Sequence, residues 1–310
     1  MLWEDALEGY WLARRRDFSR YTVRGYAQVF REFGAHVGPA MHVERISREQ
    51  VRAFLNGMAA RGLADKTILN AWVALSSFWS WAEADLGAAH VIRAGVQKPK
   101  ARRPQIDPYS AQEVAAILAQ VELGNEWETP AGKRVRSKRP TAARDRAILL
   151  VLLDAGLRAQ ELCDLTVGDV DLKTGKARVR HGKGDKERLV WLGEAARKAI
   201  WRSLLGRKGA GAGEPLFCAL RGAQCRPLEV GNVRHIVQRI AARAGVEGAN
   251  LHKFRHTFAI AFLRNGGSVL ALQALLGHES LSTVRIYARL AEVDLREAHQ
   301  RASPADNWKL

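Results

Sequence analysis

Between Arg93 and Ser110 the chain reads RAGVQKPKARRPQIDPYS, three prolines set among a cluster of bases. Proline fixes φ and lacks an amide donor, so no helix can run through this stretch, and its composition suits an extended, charged linker. At 310 residues and 47% hydrophobic, the chain has the length for two domains and the apolar content to give each a core. The expected organisation is a helical domain over 1–97, a basic linker over 98–109, a second domain over 110–300 and a tail over 301–310.

The first part reads as helices. One segment runs from Leu2 to Arg16, Ser19 can cap a second that reaches about Ala35, and Ser47 with Gln50 fits a capping box before VRAFLNGMAA. Asp65 precedes a long helix in which Ile68, Trp72, Leu75 and Trp79 share one stripe, and aromatic residues at that spacing pack into a core.

The second part mixes helices with one clear pair of strands. Lys176 to His181 and Glu187 to Leu192 alternate and are rich in Val, Leu and Trp, while Gly182-Lys183-Gly184-Asp185 supplies turn chemistry between them. A β-hairpin with a lysine at its tip is expected. A helix begins near Ser110, and others follow in AARKAIWRSLL, NVRHIVQRIAARAG, LHKFRHTFAIAFLRNGG, VLALQALLGH and STVRIYARL. The polar stretch 122–141, containing KRVRSKRP, has neither helical nor strand periodicity and is expected to form an exposed basic loop. The fold class is mainly α with a small antiparallel β-sheet (α+β).

Lysine and arginine number 49 against 32 acids, a formal charge of +17, so a polyanion is the expected partner and nucleic acid leads. No run approaches the ~18 apolar residues of a membrane span. The start, MLWEDALEGYW, carries acids where a signal peptide carries bases, so the expected location is the cytoplasm. Cys163, Cys218 and Cys225 are an odd number with no CxxC pair, which argues against a disulfide framework and a zinc site; all three are expected to be thiols.

Three segments carry residues able to do chemistry. In LHKFRHTFAIAFLRNGG, an apolar face of Leu251, Phe254, Phe258, Ala261 and Phe262 leaves His252, Arg255 and His256 on an adjacent face, close enough to converge on an anion. Ser268 can cap a helix that Gly277 terminates, with His278 just beyond, and Ser282 can cap the helix bearing Tyr287. In AILLVLLDAGLRAQELCDL a buried helix breaks at Gly156, and a second helix starts with Arg158 and carries Glu161 one turn on. Each also has an ordinary structural reading: surface or capping residues, a half-buried packing tyrosine, an ion pair or a helix-turn-helix.

Their order and wording together are specific. The chain resembles the tyrosine recombinase or phage-type integrase family, Xer-like members included. GLRAQEL looks like its first arginine box, HGKGDKERLVWL its lysine hairpin, LHKFRHTFA its HxxRH box and LLGHESLSTVRIYARL its terminal histidine and tyrosine box, in family order across 156–290. The resemblance covers nearly the whole chain and implies a helical, SAM-like core-binding domain followed by a catalytic domain. The basic stretch before Arg144 is longer than in compact members, and Lys253 and Phe254 fill variable positions of the HxxRH box.

The resemblance implies cleavage and rejoining of double-stranded DNA through a 3′-phosphotyrosyl intermediate, with no metal, cofactor or ATP. Tyr287 is the expected nucleophile, since a phenol can store the phosphate as an ester. Arg158 and Arg255 offer forked donors to the non-bridging oxygens, and His252 and His278 add hydrogen bonds. His252 is placed by analogy to take the phenol's proton, and Lys183 to protonate the leaving 5′-oxygen. Glu161 is expected to orient Arg158 or a histidine, and His256 to support the box from behind. Expected DNA contacts are Lys186, Arg188, Lys253, Arg102, Arg103, Lys133, Arg134 and Arg136. Strand exchange implies a homo-tetramer or hetero-tetramer on DNA, with an accessory protein where the system uses one. Two other activities fit the same charge or chemistry: a non-catalytic DNA-binding regulator on this fold, and type IB topoisomerase-like relaxation by a monomer.

Overall fold

The computed structural model describes all residues except 39, 94, 102–105, 129–133, 181–186, 208, 222–223, 278–280, 292–298, 300–302 and 309–310. The chain divides into two compact units, Met1–Gln105 and Ile106–Leu310.

The first unit is built on α1 (Trp3–Arg14), α2 (Arg20–Val37), α3 (Arg48–Ala60) and α4 (Asp65–Leu86). Helices begin where a short polar side chain can accept from an otherwise orphaned amide. Ser19 Oγ accepts from the Thr22 amide at 3.1 Å, and Ser47 and Gln50 exchange bonds of 3.3 and 2.9 Å in a capping box. Trp3 and Tyr10 of α1, Phe30 and Phe33 of α2, and Leu75, Phe78 and Trp79 of α4 meet in one core. The Trp3 ring stands 4.6 Å from Phe78 and 5.1 Å from Phe33. Ile68, Leu75 and Trp79 of the expected stripe are buried; Trp72 is half-buried, and its indole donates to the Val96 carbonyl at 3.1 Å.

The second unit contains α5 (Ala111–Ala119), α6 (Ala142–Ala155), α7 (Ala159–Asp164), α8 (Glu194–Leu205), α9 (Val230–Arg243), α10 (Leu251–Arg264), α11 (Val269–Leu276) and α12 (Leu281–Leu290). Among the described residues three antiparallel strand pairs join them: β1 (Leu123–Glu128) with β2 (Arg134–Lys138), β3 (Lys176–Val179) with β4 (Arg188–Trp191), and β5 (Cys218–Arg221) with β6 (Gln224–Pro227). The fold is mainly helical with small antiparallel sheets, as expected. Helix α6 is its centre, burying Ala147, Ile148, Leu149, Val151 and Leu152 while α8 and α10 pack against it. The chain just before α5 is tied to α10: the Tyr109 ring lies 4.8 Å from Phe254, and the Tyr109 amide donates to Thr257 Oγ1 at 2.8 Å.

Several expectations are corrected. The basic stretch 122–141 contains the β1–β2 hairpin, whose register sets Glu126 opposite Arg136 and Glu128 opposite Arg134. Trp127 stands opposite Val135 between these two acid–base pairs, so the alternation is confined to three residues on each strand, too short a run to read as a strand. Cys218 and Cys225 are not thiols but a disulfide, diagonal across the β5–β6 pair with Cα atoms 5.5 Å apart; Cys163 is the free, buried one. Their spacing carried no motif because the hairpin, not the sequence interval, brings them together. Ser282 lies inside α12 rather than before it. On α10, Ala261 is exposed and Phe262 half-buried, whereas Ile260 and Leu263 are buried. This helix has α6, α11 and α12 packed on it, so one apolar stripe does not describe it. Among the described residues no helix is long and apolar enough to cross a membrane.

Candidate active site

Two glycine turns organise the site. Gly156 ends α6 at φ +57°, where a Cβ would lie 2.2 Å from the Phe258 ring, so both conformation and space demand glycine. Gly277 ends α11 at φ +63°, and a Cβ there would stand 3.1 Å from the Arg188 side chain. These turns leave backbone carbonyls facing inward, and arginines fill the gap.

Arg255 is 5% exposed on α10. Its Nη1 donates to the Gly156 carbonyl and its Nη2 to the Leu276 carbonyl, both at 2.7 Å, so one guanidinium ties the end of α6 to the end of α11. A cation at the carbonyl end of a helix is also favoured by the helix dipole. Burial, then the neighbouring Arg158 charge, lowers the Arg255 pKa to about 10, which still leaves it a cation at neutral pH.

Arg158 is the N-cap of α7, two residues beyond Gly156. The Arg158 amide donates to Glu161 Oε2 and its Nη1 to Glu161 Oε1, both at 2.8 Å. Glu161 also receives Arg188 Nη1 and Nη2 at 2.8 and 2.7 Å, while Arg188 Nε donates to the Leu275 carbonyl at 2.8 Å. Burial opposes ionisation of the Glu161 carboxyl, but the bonds from Arg188 and the Arg158 amide outweigh it and hold its pKa at about 2. A buried carboxylate between two guanidiniums therefore locks Arg158 and joins it to β4 and α11.

His252 sits exposed in the first turn of α10, whose N-cap Asn250 accepts from the Lys253 amide at 2.9 Å. His256, one turn on, is half-buried, and its Nδ1 lies 2.9 Å from the Tyr287 hydroxyl on α12. Tyr287 is 4% exposed, and burial raises its pKa. Arg158, Glu161 and Arg255 are thus placed around the two turns, and α10 carries His252 and His256 on either side of Arg255, with Tyr287 against His256.

Two expected DNA contacts are corrected. Arg188 is a bridge between Glu161 and the Leu275 carbonyl, its side chain 10% exposed. Lys253 is buried, its ammonium 2.7 Å from Asp107 Oδ2 and 4.7 Å from the Tyr109 ring centroid, which engages it within its own unit. Arg134 and Arg136 lie on β2. Lys183, Lys186, His278, Arg102, Arg103 and Lys133 fall outside the described residues. A signal for Arg188 was present in the strand alternation, since it shares the inward face of β4 with buried Val190, and an inward arginine requires partners.

A phage integrase family model matches residues 128–293, and a phage integrase N-terminal SAM-like domain model matches 7–85. Among curated proteins, the tyrosine recombinase XerC of Mycobacterium sp. (strain JLS) is 32% identical over 305 residues, covering 97% of this chain and 98% of that one. The tyrosine recombinase XerC of Mycobacterium tuberculosis (strain ATCC 25177 / H37Ra) is 33% identical over 298 residues, covering 95% and 96%. Among solved structures, the Tn1549 transposon integrase in complex with transposon right end DNA has a TM-score of 0.75 at 20% identity, over 98% of this chain and 100% of that one. The XerH site-specific recombinase bound to palindromic difH substrate has a TM-score of 0.70 at 21% identity, over 94% and 82%. These structures share the fold.

Proposed function

Since the chain belongs to the phage integrase family and is a site-specific tyrosine recombinase, we propose that it cuts double-stranded DNA by attack of the Tyr287 phenol on a scissile phosphodiester. The products are a 3′-phosphotyrosyl ester and a free 5′-hydroxyl. The ester stores the bond, so a 5′-hydroxyl of the partner strand can displace the tyrosine and reseal without ATP.

The observation that carries this reading is that buried partners hold Arg158 and Arg255 at the Gly156 and Gly277 turns, while the Tyr287 phenol meets His256, the residue next to Arg255 on α10. In the transition state the non-bridging oxygens gain negative charge, and a fixed donor aimed at them is worth about 3 kcal/mol. Glu161 engages Arg158 through Nη1 among the described residues, leaving the rest of the fork for phosphate. Exposed His252 adds a hydrogen bond, His278 another, and Lys183 delivers the proton to the 5′-oxygen.

The helical 1–97 domain grips DNA, the basic 98–109 segment tracks it, the 110–300 domain holds the chemistry and the 301–310 tail lies beyond it. The charge of +17, the transposon right end DNA of the Tn1549 integrase structure and the palindromic difH substrate of the XerH structure support duplex DNA as partner. Paired-site exchange uses a tetramer, in the cytoplasm where DNA is accessible.

The test uses a nicked duplex recovered by covalent capture with the wild-type chain from a randomised pool. Tyr287→Phe should bind this duplex as the wild type does and form no covalent adduct. An adduct from Tyr287→Phe would remove Tyr287 as nucleophile.

A further inference from the structure

Among the described residues no hydrogen bond joins His252 to the Tyr287 phenol. The hydroxyl instead meets His256 Nδ1 at 2.9 Å, within the reach required of a general base, and the two rings lie 5.7 Å apart. His252 is exposed, its ring 6.4 Å from that of His256. We propose that His256 is the proton acceptor for Tyr287, and that His252 serves the phosphate alone. This assignment rests on Tyr287 being the nucleophile.

The direction of the hydrogen bond follows from the surroundings. The groups acting on His256 are His252 and Arg255 on its own helix, and Tyr287 faces it from α12. Burial, then His252 and Arg255, lowers the His256 pKa, so the imidazole is neutral at pH 7 and Nδ1 carries a lone pair. Burial keeps the phenol protonated. The phenol therefore donates and the histidine accepts.

The proton balance closes within the site. As the phenol oxygen bonds to phosphorus, its O–H bond breaks and the proton passes to His256 Nδ1. The bond from phosphorus to the 5′-oxygen breaks, and that oxygen takes a proton from Lys183. In rejoining, the incoming 5′-hydroxyl returns a proton to Lys183, and the departing phenolate recovers its own from His256. The imidazolium forms beside Arg255 as the phosphorane gains its added negative charge, and it holds the proton through the phosphotyrosyl stage until the departing phenolate recovers it.

Nucleophile activation and leaving-group protonation separate chemically. A 5′-bridging sulfur leaves as a thiolate without a proton, so a defect on the leaving side is repaired by that substrate and a defect on the nucleophile side is not. With the captured nicked duplex in oxygen and sulfur forms, His256→Ala should bind normally and form adduct about 100- to 1,000-fold more slowly on both. Lys183→Ala should be slow on oxygen and restored on sulfur. His256→Asn places an amide oxygen near Nδ1 and keeps a hydrogen-bond acceptor without basicity; it should stay as slow as His256→Ala. Replacing Tyr287 by a fluorinated tyrosine of lower pKa should recover rate in His256→Asn, a response that loss of packing would not give.

A wild-type rate in His256→Asn would overturn the proton-acceptor role, as would restoration of His256→Ala by sulfur. The role passes to His252 if His252→Asn, rather than His256→Asn, shows the sulfur-insensitive loss. If His256→Ala melts below the assay temperature, His256→Asn and the fluorotyrosine decide. A covalent adduct from Tyr287→Phe is a separate result that removes the nucleophile assignment itself.

Discussion

Helix α4 of the first unit and helix α10 of the second both run through the middle of their cores, yet they bury different chemistry. The buried positions of α4 are all apolar: Ile68, Ala71, Ala74, Leu75, Phe78, Trp79, Trp81 and Ala82. Those of α10 include Lys253, Arg255 and Thr257 beside Leu251, Phe254 and Phe258. An apolar side chain is satisfied by any close neighbour, so the buried face of α4 is held mainly by packing contacts that carry no direction. A buried cation needs specific partners, and α10 takes them from distant parts of its unit: Asp107, the Gly156 carbonyl and the Leu276 carbonyl. One helix is a stabiliser, and the other a frame that holds functional groups in fixed directions.

Substitutions should separate the two. Trp79→Ala should be the most damaging to stability, lowering it by about 3–5 kcal/mol in denaturant unfolding, because the neighbouring rings cannot close over the space. A loss under about 1 kcal/mol would mean that α4 is not a packing element of the kind described. Arg255→Lys tests the other side. An ammonium cannot bridge two carbonyls and a phosphate as a guanidinium can, so adduct formation should fall about 100- to 1,000-fold with a smaller change in melting temperature.

Glu161→Gln sharpens the contrast through pH. Removing the carboxylate leaves Arg188 and Arg158 without their shared anion, and stability at pH 7 should fall by about 2 kcal/mol. The Glu161 pKa is depressed in the folded state, so its contribution is fully present above the ordinary carboxylate value of 4.5 and is lost as pH falls towards about 2. The gap between wild type and Glu161→Gln in urea melts should therefore narrow between those limits; a constant gap would show that the network does not depend on charge. The smallest effect is expected at Ser47→Ala, where losing the cap of α3 should cost about 1 kcal/mol and leave the cleavage rate of the folded protein unchanged.

Helix starts were legible because capping is local: Ser19, Ser47, Ser110 and Ser268 each accept from an amide three residues on. The β3–β4 pair was legible for the same reason, since alternation is a short-range signal. Tyr287, Arg158, His252 and Arg255 were identified by motif order, which required no geometry. The β1–β2 pair was missed because its alternation is confined to Glu126-Trp127-Glu128 and Arg134-Val135-Arg136, too short a run in a highly charged stretch to stand out. Arg188 and Lys253 were assigned to DNA because a basic residue in a basic chain has no visible partner until the fold supplies one.

By itself the sequence determined the family, the helical content, most of the caps and the candidate groups for the chemistry, since each depends on residue type over a few neighbouring positions or on the order of short motifs. Only the tertiary structure decided which of these groups meet. It gave Glu161 to Arg188 as well as Arg158, gave Arg255 two carbonyls from separate turns, and set His256 rather than His252 against the phenol. Those pairings join residues up to 99 positions apart, and a hydrogen bond is specified by the position and direction of both partners, which no local pattern encodes.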